Sequence, residues 1–509
     1  MNSVFVTVVV FAPFVAAWVA GRIADSERTL AFARVFSLIY LAVVAAIALT
    51  FLAHPELVVR HTSAAIPGLR ARWHLELDGL SAPFLPLAAT LAAGVLLAAP
   101  RRELDPRSVQ SVLVATGCAV GVYCAEDLLL LAVFWVAGLA PGAVALHQAK
   151  DAVVRKKLAR LYDVFFVFGA IPIVAAAFVV GWARARAGAA LPFDLSEPTP
   201  LPAASAPTVF VLITWALLTR KAVAPLHSWL PVMIERGPVG LALLSAGTHL
   251  AAFLALRVMV PMLPEASRQY LPIVAVIALV SALYQAIVAL SQRDIRRAVG
   301  FVITSYLALV LVGIGASGPE GLHGAMLQML SLGLVSLGLV LTVSWIHART
   351  GTTDLRELRG LAKEFPRIAW VFFLLGLASV GAPGSIAWVA EDLLLHSLLV
   401  LHPVIAALML VVVVLNGITI LRVFFQAFFG QPKGATATGV GDLRAREWVV
   451  AYAVIGAIAL LGVAPQSLIE LRRSTVDSLV HSLHQDAEQS HHGAGSRAPA
   501  RSENAHGSL

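Results

Sequence analysis

The chain of 509 residues has few charged side chains. Asp, Glu, Lys and Arg make up 13% of it, whereas soluble proteins carry about 25%. Its mean hydropathy is +0.85, and 59% of its residues are hydrophobic. No soluble fold can bury so much apolar surface, because every domain must cover itself with polar groups. The composition therefore excludes a soluble enzyme, a disordered chain and a nucleic-acid-binding domain.

Cysteine is also scarce, with only Cys118 and Cys124, both inside an apolar stretch. Two thiols are too few for a disulfide framework, a zinc cage or a cysteine-ligated iron–sulfur cluster.

The exception to the apolar composition is a polar tail over 467–509. It carries the histidines His481, His484, His491, His492 and His506. Such a tail can bind metal, but we interpret it as a solvated terminus with a short surface helix over Ser474–Leu483 and predict no metal site.

Long apolar runs dominate the rest of the sequence. A helix crosses the ~30 Å hydrocarbon layer in about 20 apolar residues, and such windows can be read repeatedly along the chain. The sequence predicts an all-α integral membrane protein with about 14 transmembrane helices. The windows lie at 4–20, 30–53, 82–99, 108–125, 127–147, 162–182, 208–230, 238–262, 270–291, 298–316, 321–347, 367–399, 401–429 and 446–466.

Lysine and arginine are distributed unevenly between alternate loops. With the N-terminus placed outside, the inside loops hold 24 of these residues and the outside loops hold six. Membrane proteins keep their basic loops in the cytoplasm. The distribution predicts an even number of spans in a bacterial inner membrane, with both termini on the periplasmic side. It also explains the net charge of +8 without nucleic acid as a partner.

Two windows, 208–230 and 367–399, contain helix breakers. The breakers are Pro225 in the first window, with Pro231 directly after it, and Gly381, Pro383 and Gly384 at the centre of the second. Broken backbone survives at membrane depth only where it lines protein or a watered cavity. We therefore predict broken helices in spans 7 and 12. Pro225 and Pro383 are 158 residues apart, which favours equivalent positions in an internal repeat.

Few ionisable residues fall at the predicted membrane depth. They are Arg220, Lys221, His249 and Glu391. Each costs about 2.5–3.5 kcal/mol on insertion scales, so such residues usually face a partner or water and often carry protons. We interpret Arg220, Lys221 and Glu391 as members of a proton relay; the alternative for Arg220 and Lys221 is a cap on the broken helix. His249 is either a relay member or a core histidine. His227 and Trp229, just past the first break, suit a structural role.

Four stretches of the sequence carry a resemblance to a known family. They are DLLLLAVFW at 127–135, PLHSWLP at 225–231, SQRDIRRAVGF at 291–301 and the run from GPEGLHG to SVGAPG at 318–384. Together they resemble the M-type antiporter-like subunit of respiratory complex I, within the complex I and Mrp antiporter superfamily. The resemblance covers most of the chain.

The resemblance implies two inverted five-helix repeats, 108–262 and 270–429. They would follow N-terminal helices in 1–107 and precede a C-terminal helix in 430–466. It also implies a proton-translocating subunit of an NADH:quinone oxidoreductase-like complex. Quinone reduction and all redox cofactors would then belong to partner subunits, and other membrane subunits and the lipid bilayer would be the partners of this chain.

The site residues of that family map unevenly onto this sequence. Its span-twelve glutamate matches Glu391, its span-seven lysine falls on Arg220 beside Lys221, and its span-eight lysine falls near Ala251, two residues after His249. The family's span-five glutamate and two of its histidines fall on Val136, Tyr306 and Leu332. Two alternatives therefore stay open. One is the membrane subunit of an Mrp-type cation/proton antiporter or inorganic-carbon uptake system; the other is a degenerate paralogue with a purely structural role.

Overall fold

The computed structural model describes residues 4–483 except 67, 69, 150, 198 and 432–440. Helices form most of this part of the chain. In the first half they are α1 (Val4–Arg22), α2 (Ser26–Ala53), α3 (Phe84–Ala98), α4 (Pro106–Cys124), α5 (Leu128–Ala137), α6 (Ala140–His147), α7 (Ala159–Arg186), α8 (Ala206–Arg220), α9 (Trp229–Arg236), α10 (Val239–Gly247), α11 (Leu250–Leu254) and α12 (Val260–Met262). In the second half they are α13 (Pro264–Ser291), α14 (Ile295–Gly315), α15 (Pro319–Thr350), α16 (Leu361–Glu364), α17 (Pro366–Ser379), α18 (Ile386–Leu401), α19 (Pro403–Phe428), α20 (Ala445–Val463) and α21 (Gln466–Leu471).

Within the described residues, ten helical segments are long and apolar enough to cross a membrane. This confirms a multi-pass membrane protein. A helix occupies each of the fourteen predicted windows, but α3, α8 and α17 are shorter, with 14 or 15 residues each. The count of fourteen spans and the two repeats at 108–262 and 270–429 stay predictions, as do the periplasmic termini.

The prediction of an all-α protein is wrong in one place. Between α2 and α3 the chain forms an antiparallel hairpin of β1 (Val59–Ala65) and β2 (Arg72–Leu77). Leu75 of β2 also bridges to Ala125, just after α4. The hairpin mixes polar with apolar residues, so a search for long apolar windows passes over it. It packs its buried strand against the ends of the helices on the predicted periplasmic side.

The predicted breaks in spans 7 and 12 are both present. In the first, α8 ends at Arg220 and helix resumes in α9 at Trp229, with Ala222 in the left-handed region at φ 52°. In the second, the chain leaves helix between α17 and α18, where Gly381 and Gly384 have φ of 68° and 87°. Glycine adopts these angles without the steric penalty of a Cβ atom. Proline and glycine therefore mark the breaks as the sequence predicts.

The centre of the fold is formed by α14 and α15, which are buried along most of their length. Small residues let α10 approach α15 closely. A Cβ atom built on Gly333 would lie 2.8 Å from the Gly247 carbonyl oxygen and 2.7 Å from a Leu87 methyl carbon. Close backbone approach of this kind is typical of membrane helix contacts. It brings α10, which leads directly to His249, against the central helix.

We expect Gly333→Ala to destabilise the protein, because the added methyl group would overlap backbone and a packed leucine. Overpacking of this kind costs about 1–3 kcal/mol. The measurement is the thermal unfolding midpoint in detergent. Gly456→Ala in α20 is the matched control, since a Cβ there meets no atom within 4 Å. Equal midpoints for the two variants would contradict the close contact between α10 and α15.

Candidate functional site

A buried pair of nitrogen atoms lies at the break between α8 and α9. Lys221 Nζ and His249 Nδ1 are 2.8 Å apart, within hydrogen-bonding distance. The two residues are 1% and 2% exposed. Within the described part of the chain, no carboxylate lies within 4 Å of Lys221. The structure thus brings together two of the four residues proposed from the sequence for a proton relay.

Lys221 is positioned by the way that α8 ends. Its backbone N–H still donates to Leu217, but Ala222 turns into the left-handed region and the chain leaves the helix. The Trp229 indole N–H donates to the Thr219 carbonyl at 3.0 Å and ties α9 to the end of α8. Lys221 therefore sits at the carbonyl end of a helix, where the helix dipole favours a positive charge.

His249 lies at a third break, which the sequence analysis missed. Helix α10 ends at Gly247, His249 adopts φ 53°, and α11 begins at Leu250. No proline or glycine follows Gly247 to signal the break. The Tyr123 hydroxyl donates a hydrogen bond to the Thr248 carbonyl that this break leaves free. A non-glycine residue in the left-handed region is uncommon and marks a position that its surroundings hold in place.

The loop of the first break is also held from α13. The Ser281 hydroxyl accepts a hydrogen bond from the Ala224 N–H at 2.7 Å, and Gln285 Nε2 donates to the Ala222 carbonyl at 3.2 Å. Gln285 and Ser281 also bond to each other at 2.8 Å. Neither residue was singled out from the sequence, because an uncharged polar residue in an apolar window gives no signal of its partner.

Arg220 has partners other than the Lys221–His249 pair. Its guanidinium carbon lies 4.6 Å from the centre of the Trp135 ring, and its Nη1 donates to the Trp135 carbonyl at 3.2 Å. Val136, where the resembling family has a glutamate, is next to this contact. In the described residues Arg220 forms no ion pair. The aromatic ring and a carbonyl thus take the place of a carboxylate, and a relay role for Arg220 stays a prediction.

His227 and Trp229 have surroundings that suit a structural role. His227 packs edge-on against Tyr284 with ring centres 5.3 Å apart. Trp229 is 3% exposed and packs edge-on against Tyr162 at 5.9 Å. Pro225, between them and Lys221, is exposed in the turn. These contacts tie the loop of the first break to α7 and α13.

Glu391 lies just after the second break. It is half-buried, and one of its carboxylate oxygens is 2.4 Å from where a Cβ atom on Gly381 would be. The φ of Gly381 favours glycine at this position, and the Glu391 carboxylate packs against it. Pro383 and Gly384 are exposed in the turn itself. The other carboxylate oxygen, Oε1, is buried without a partner in the described part of the chain.

Lys221 and Glu391 do not touch, but buried polar residues lie between their helices. The Asn416 side-chain amide on α19 donates to the Ser305 hydroxyl at 3.0 Å, and Ser305 in turn donates to the Ala282 carbonyl on α13. Tyr306, the next residue on α14, is 1% exposed and lies within electrostatic range of Glu391. Leu332 is buried as well and adds no polar atom to this group.

Several buried polar atoms in this region have no hydrogen-bond partner among the described residues. They are His249 Nε2, Gln285 Oε1, Tyr306 Oη, Gln328 Oε1, Ser336 Oγ, Glu391 Oε1 and Asn416 Oδ1. Buried polar groups are satisfied by protein or by ordered water. These atoms lie on α13, α14, α15, α18 and α19 and, for His249, at the break between α10 and α11, so the central helices α14 and α15 carry buried polar atoms.

A second charged cluster lies beside the hairpin, with Arg257 near the end of the predicted span at 238–262. Arg257 bonds both carboxylate oxygens of Asp78 at 2.8 Å, and its Nη1 is 3.0 Å from Glu126 Oε1, at an angle that falls short of a hydrogen bond. Glu126 is 7% exposed. Burial raises the pKa of Glu126 to about 7, and the nearby Arg257 opposes that rise. The structure thus places Glu126 in a buried ion-pair cluster.

Asp194 joins the hairpin to the loop before α8. It accepts from the Arg72 side chain, lies 3.0 Å from His74 Nδ1, and accepts from Ser196 at 2.5 Å. Although burial opposes ionisation, these hydrogen bonds hold the pKa of Asp194 well below its usual range. No local pattern in the sequence indicates this contact, because Arg72 and Asp194 are far apart in the chain.

Comparison with known proteins gives a consistent result. The family model described as NADH:quinone oxidoreductase/Mrp antiporter, TM, matches residues 125–419, more than half of the chain. The chain belongs to this family. It is 32% identical to NADH-quinone oxidoreductase subunit 13 of Thermus thermophilus over 422 residues, 82% of this chain and 87% of that protein. It is 27% identical to NAD(P)H-quinone oxidoreductase chain 4 of Gloeobacter violaceus, covering 94% and 93% of the two chains.

Solved structures of the complex I and Mrp antiporter family have the same fold. A chain of respiratory complex I from Thermus thermophilus with bound NADH superposes with a TM-score of 0.83, at 26% identity over 94% of this chain and 99% of that one. A chain of the Mrp complex from Dietzia sp. DQ12-45-1b superposes with a TM-score of 0.80 over 96% and 99% of the two chains, at 19% identity. The protein is thus an antiporter-like membrane subunit, and the resemblance found in the sequence is confirmed.

The helix over 473–483 confirms the predicted short helix near the C-terminus. It buries Val476, Leu479 and Leu483 on one face. Of the tail histidines, His481 belongs to this helix, and the others lie outside the described residues. Within the described part of the chain, no group of three His, Cys, Asp or Glu side chains has the spacing of a metal site.

The raised pKa of Glu126 predicts a pH dependence of stability. Because the folded-state pKa is about 7 and the unfolded value 4.5, the native protein holds an extra proton between these values. Its stability should therefore fall as pH rises from 4.5 to 7. Glu126→Gln removes this slope, so its thermal midpoint in detergent should rise relative to the wild type between pH 5 and pH 8. The exposed Glu56→Gln is the control; parallel pH profiles for all three proteins would contradict the burial of Glu126.

Proposed function

We propose that this chain is a proton-translocating membrane subunit of an NADH:quinone oxidoreductase-like complex. It would couple quinone reduction on partner subunits to proton movement through buried lysine, histidine and glutamate side chains. The observation that carries the proposal is the Lys221–His249 pair, with 2.8 Å between its nitrogen atoms and almost no exposure. Its named relatives in quinone oxidoreductases support the assembly, and its breaks at membrane depth support transport.

The chemistry of the pair suits proton transfer. A hydrogen bond between Lys221 Nζ and His249 Nδ1 needs one donor and one acceptor. Either the ammonium donates to a neutral imidazole, or the imidazole donates to a neutral amine. Two positive charges at 2.8 Å inside a low-dielectric interior would repel strongly. The pair therefore holds zero or one positive charge, and it changes state by taking up or releasing one proton.

The unpaired polar atoms provide a route away from the pair. His249 Nε2 is buried without a partner in the described chain, and so are Gln285 Oε1, Tyr306 Oη and Glu391 Oε1. Waters that satisfy these atoms would connect the pair at the first break with Glu391 at the second break. Proton movement between the two halves would then follow a chain of side chains and waters.

We propose that protons would reach the predicted periplasmic face by way of Arg257 and Glu126. A cavity of about 530 Å³ opens on the hairpin side and is lined in part by Arg184, Glu197 and Arg257. Arg257 lies on the same chain segment as His249, eight residues later, and contacts Glu126 and Asp78. Because the pKa of Glu126 is about 7, this group can exchange protons near neutral pH.

The wider setting of the proposal follows from the family. We propose that the two breaks belong to inverted five-helix repeats over 108–262 and 270–429, in a bacterial inner membrane with periplasmic termini. Quinone and redox centres would be held by partner subunits. An Mrp-type antiporter subunit is the second candidate, supported by the shared fold with the Mrp complex. A structural paralogue is the third, supported by Val136 and by the contact of Arg220 with Trp135.

We expect Lys221→Met to lower proton pumping by more than half while the protein still assembles, because methionine has a similar length but carries no proton. Pumping is measured by acidification of inverted membrane vesicles driven by NADH, beside the rate of quinone reduction. Lys156→Met changes an exposed lysine and is the control. Unchanged pumping in Lys221→Met would leave the chain a structural role only.

Glu391→Gln should also reduce pumping, because glutamine keeps the shape of the side chain and loses the titrating proton. The neighbouring exposed Asp392→Asn is the matched control and should pump like the wild type. The assay is the same vesicle acidification, with subunit content checked on native gels. If Lys221→Met is impaired and Glu391→Gln is not, protons cross through the first half without using the second break.

A further inference from the structure

A cavity lined by arginines lies on the side of the protein predicted to face the cytoplasm. It has a volume of about 520 Å³, between the C-terminal ends of α13 and α19 and the loop before α16. Its charged lining residues are all arginines: Arg293, Arg356, Arg359 and Arg422. In the described chain none of these guanidinium groups has a carboxylate within 4 Å. Four unpaired cations around one cavity form a site for an anion.

The nearby acidic residues are engaged elsewhere, which leaves the arginines unpaired. Asp294 caps α14 by accepting from the Arg297 N–H and also accepts from Thr353. Asp354 accepts from a backbone N–H at 2.9 Å, and Glu357 accepts from the Thr352 hydroxyl at 2.6 Å. These carboxylates therefore hold the loop through hydrogen bonds and form no ion pair with the arginines, so the lining of the cavity is positively charged.

The backbone around the cavity is held in place. The Leu355 N–H donates to the Arg293 carbonyl at 2.8 Å, and the Gly360 N–H donates to the Phe429 carbonyl at 3.1 Å. Arg422 donates to the Gln292 carbonyl at 2.9 Å, which fixes its guanidinium at the end of α13. The loop and the two helix ends thus form one wall, so an anion would meet an ordered site.

An apolar groove adjoins the cationic cavity. It has a volume of about 340 Å³ and is lined by Pro366, Trp370 and Phe373 of α17, with Phe424 of α19 opposite. Phe429 lines both the groove and the cavity. Trp370 is 60% exposed, as expected for an aromatic side chain at a membrane interface. A cationic cavity that continues into an apolar groove matches a lipid, whose headgroup is anionic and whose chains are apolar.

We propose that this site binds an anionic phospholipid. The phosphate would lie among Arg293, Arg356, Arg359 and Arg422, and an acyl chain would follow the groove past Phe429 to Trp370. The positive charge of the cavity favours the phosphate. Phe429 lines both the cavity and the groove, so it would contact the lipid where the headgroup meets the acyl chain. Basic sites at the cytoplasmic ends of membrane helices bind acidic headgroups in this way. The lipid would seal the ends of α13, α17 and α19 at the membrane surface.

The test measures binding of phosphatidylglycerol to the full chain, purified in a neutral detergent with whatever subunits accompany it, by native mass spectrometry. Each arginine near an acidic headgroup contributes about fivefold in affinity. Arg356→Gln/Arg359→Gln should therefore bind phosphatidylglycerol about 25-fold more weakly, with no change for phosphatidylcholine. The matched control is Lys156→Gln/Lys157→Gln, which removes two exposed charges from another predicted cytoplasmic loop and should bind like the wild type. Arg356 and Arg359 are exposed, so the variant should fold, and its thermal midpoint in lipid-free detergent checks this.

A second variant separates a lipid from a free anion. Trp370→Ala should weaken the binding of phosphatidylglycerol several-fold and leave its competition by inorganic phosphate unchanged. If Trp370→Ala has no effect and inorganic phosphate displaces the lipid completely, the cavity is an anion site and the proposal is wrong. It is also wrong if the lysine control loses as much affinity as the arginine variant, or if crosslinks from position 359 reach an acidic segment of another subunit in place of lipid.

Discussion

The first half of the structure is arranged around the contact between two buried nitrogen atoms, Lys221 Nζ and His249 Nδ1. Lys221 is 1% exposed, and in the described chain no carboxylate lies within 4 Å of its amino group. The carbonyl end of α8 and the imidazole of His249 take that place. Lys221 lies where α8 ends, and His249 lies where α10 ends. Carbonyl groups are free only at such ends, because those inside a continuous helix accept that helix's own hydrogen bonds. The breaks at Lys221 and at His249 are thus two parts of one arrangement.

Much of this could be predicted from the sequence, because the strongest signals are local. Apolar windows locate the helices, and Pro225, Gly381 and Gly384 mark the two breaks through backbone rules that any chain obeys. Lys221, His249 and Glu391 stand out because charge is rare at membrane depth. The sequence could not give what depends on contacts between distant segments. The hairpin, the left-handed His249, and the partners Ser281 and Asn416 all depend on residues far away in the chain.

The two halves of the protein solve the burial of charge differently. In the first, cations are stabilised by neutral groups: Lys221 by His249, and Arg220 by the ring and carbonyl of Trp135. In the second, the carboxylate of Glu391 packs against Gly381 near neutral Tyr306. The buried polar side chains between the helices of Lys221 and Glu391 are amides and hydroxyls, such as those of Asn416 and Ser305. They can form hydrogen bonds with water but carry no charge. In the described chain, neither Lys221 nor Glu391 therefore has an oppositely charged partner within 4 Å.

Arg220 adds a permanent positive charge to the end of α8. A guanidinium stays protonated under all physiological conditions, so its charge remains beside Lys221 whatever the state of the pair. In a family member with a glutamate at the position of Val136, a carboxylate would balance a cation there. Here Trp135 holds the guanidinium by its ring face and carbonyl. Of Arg220, Lys221 and His249, only the last two can therefore change their charge, and Arg220 keeps its own through contacts with neutral groups.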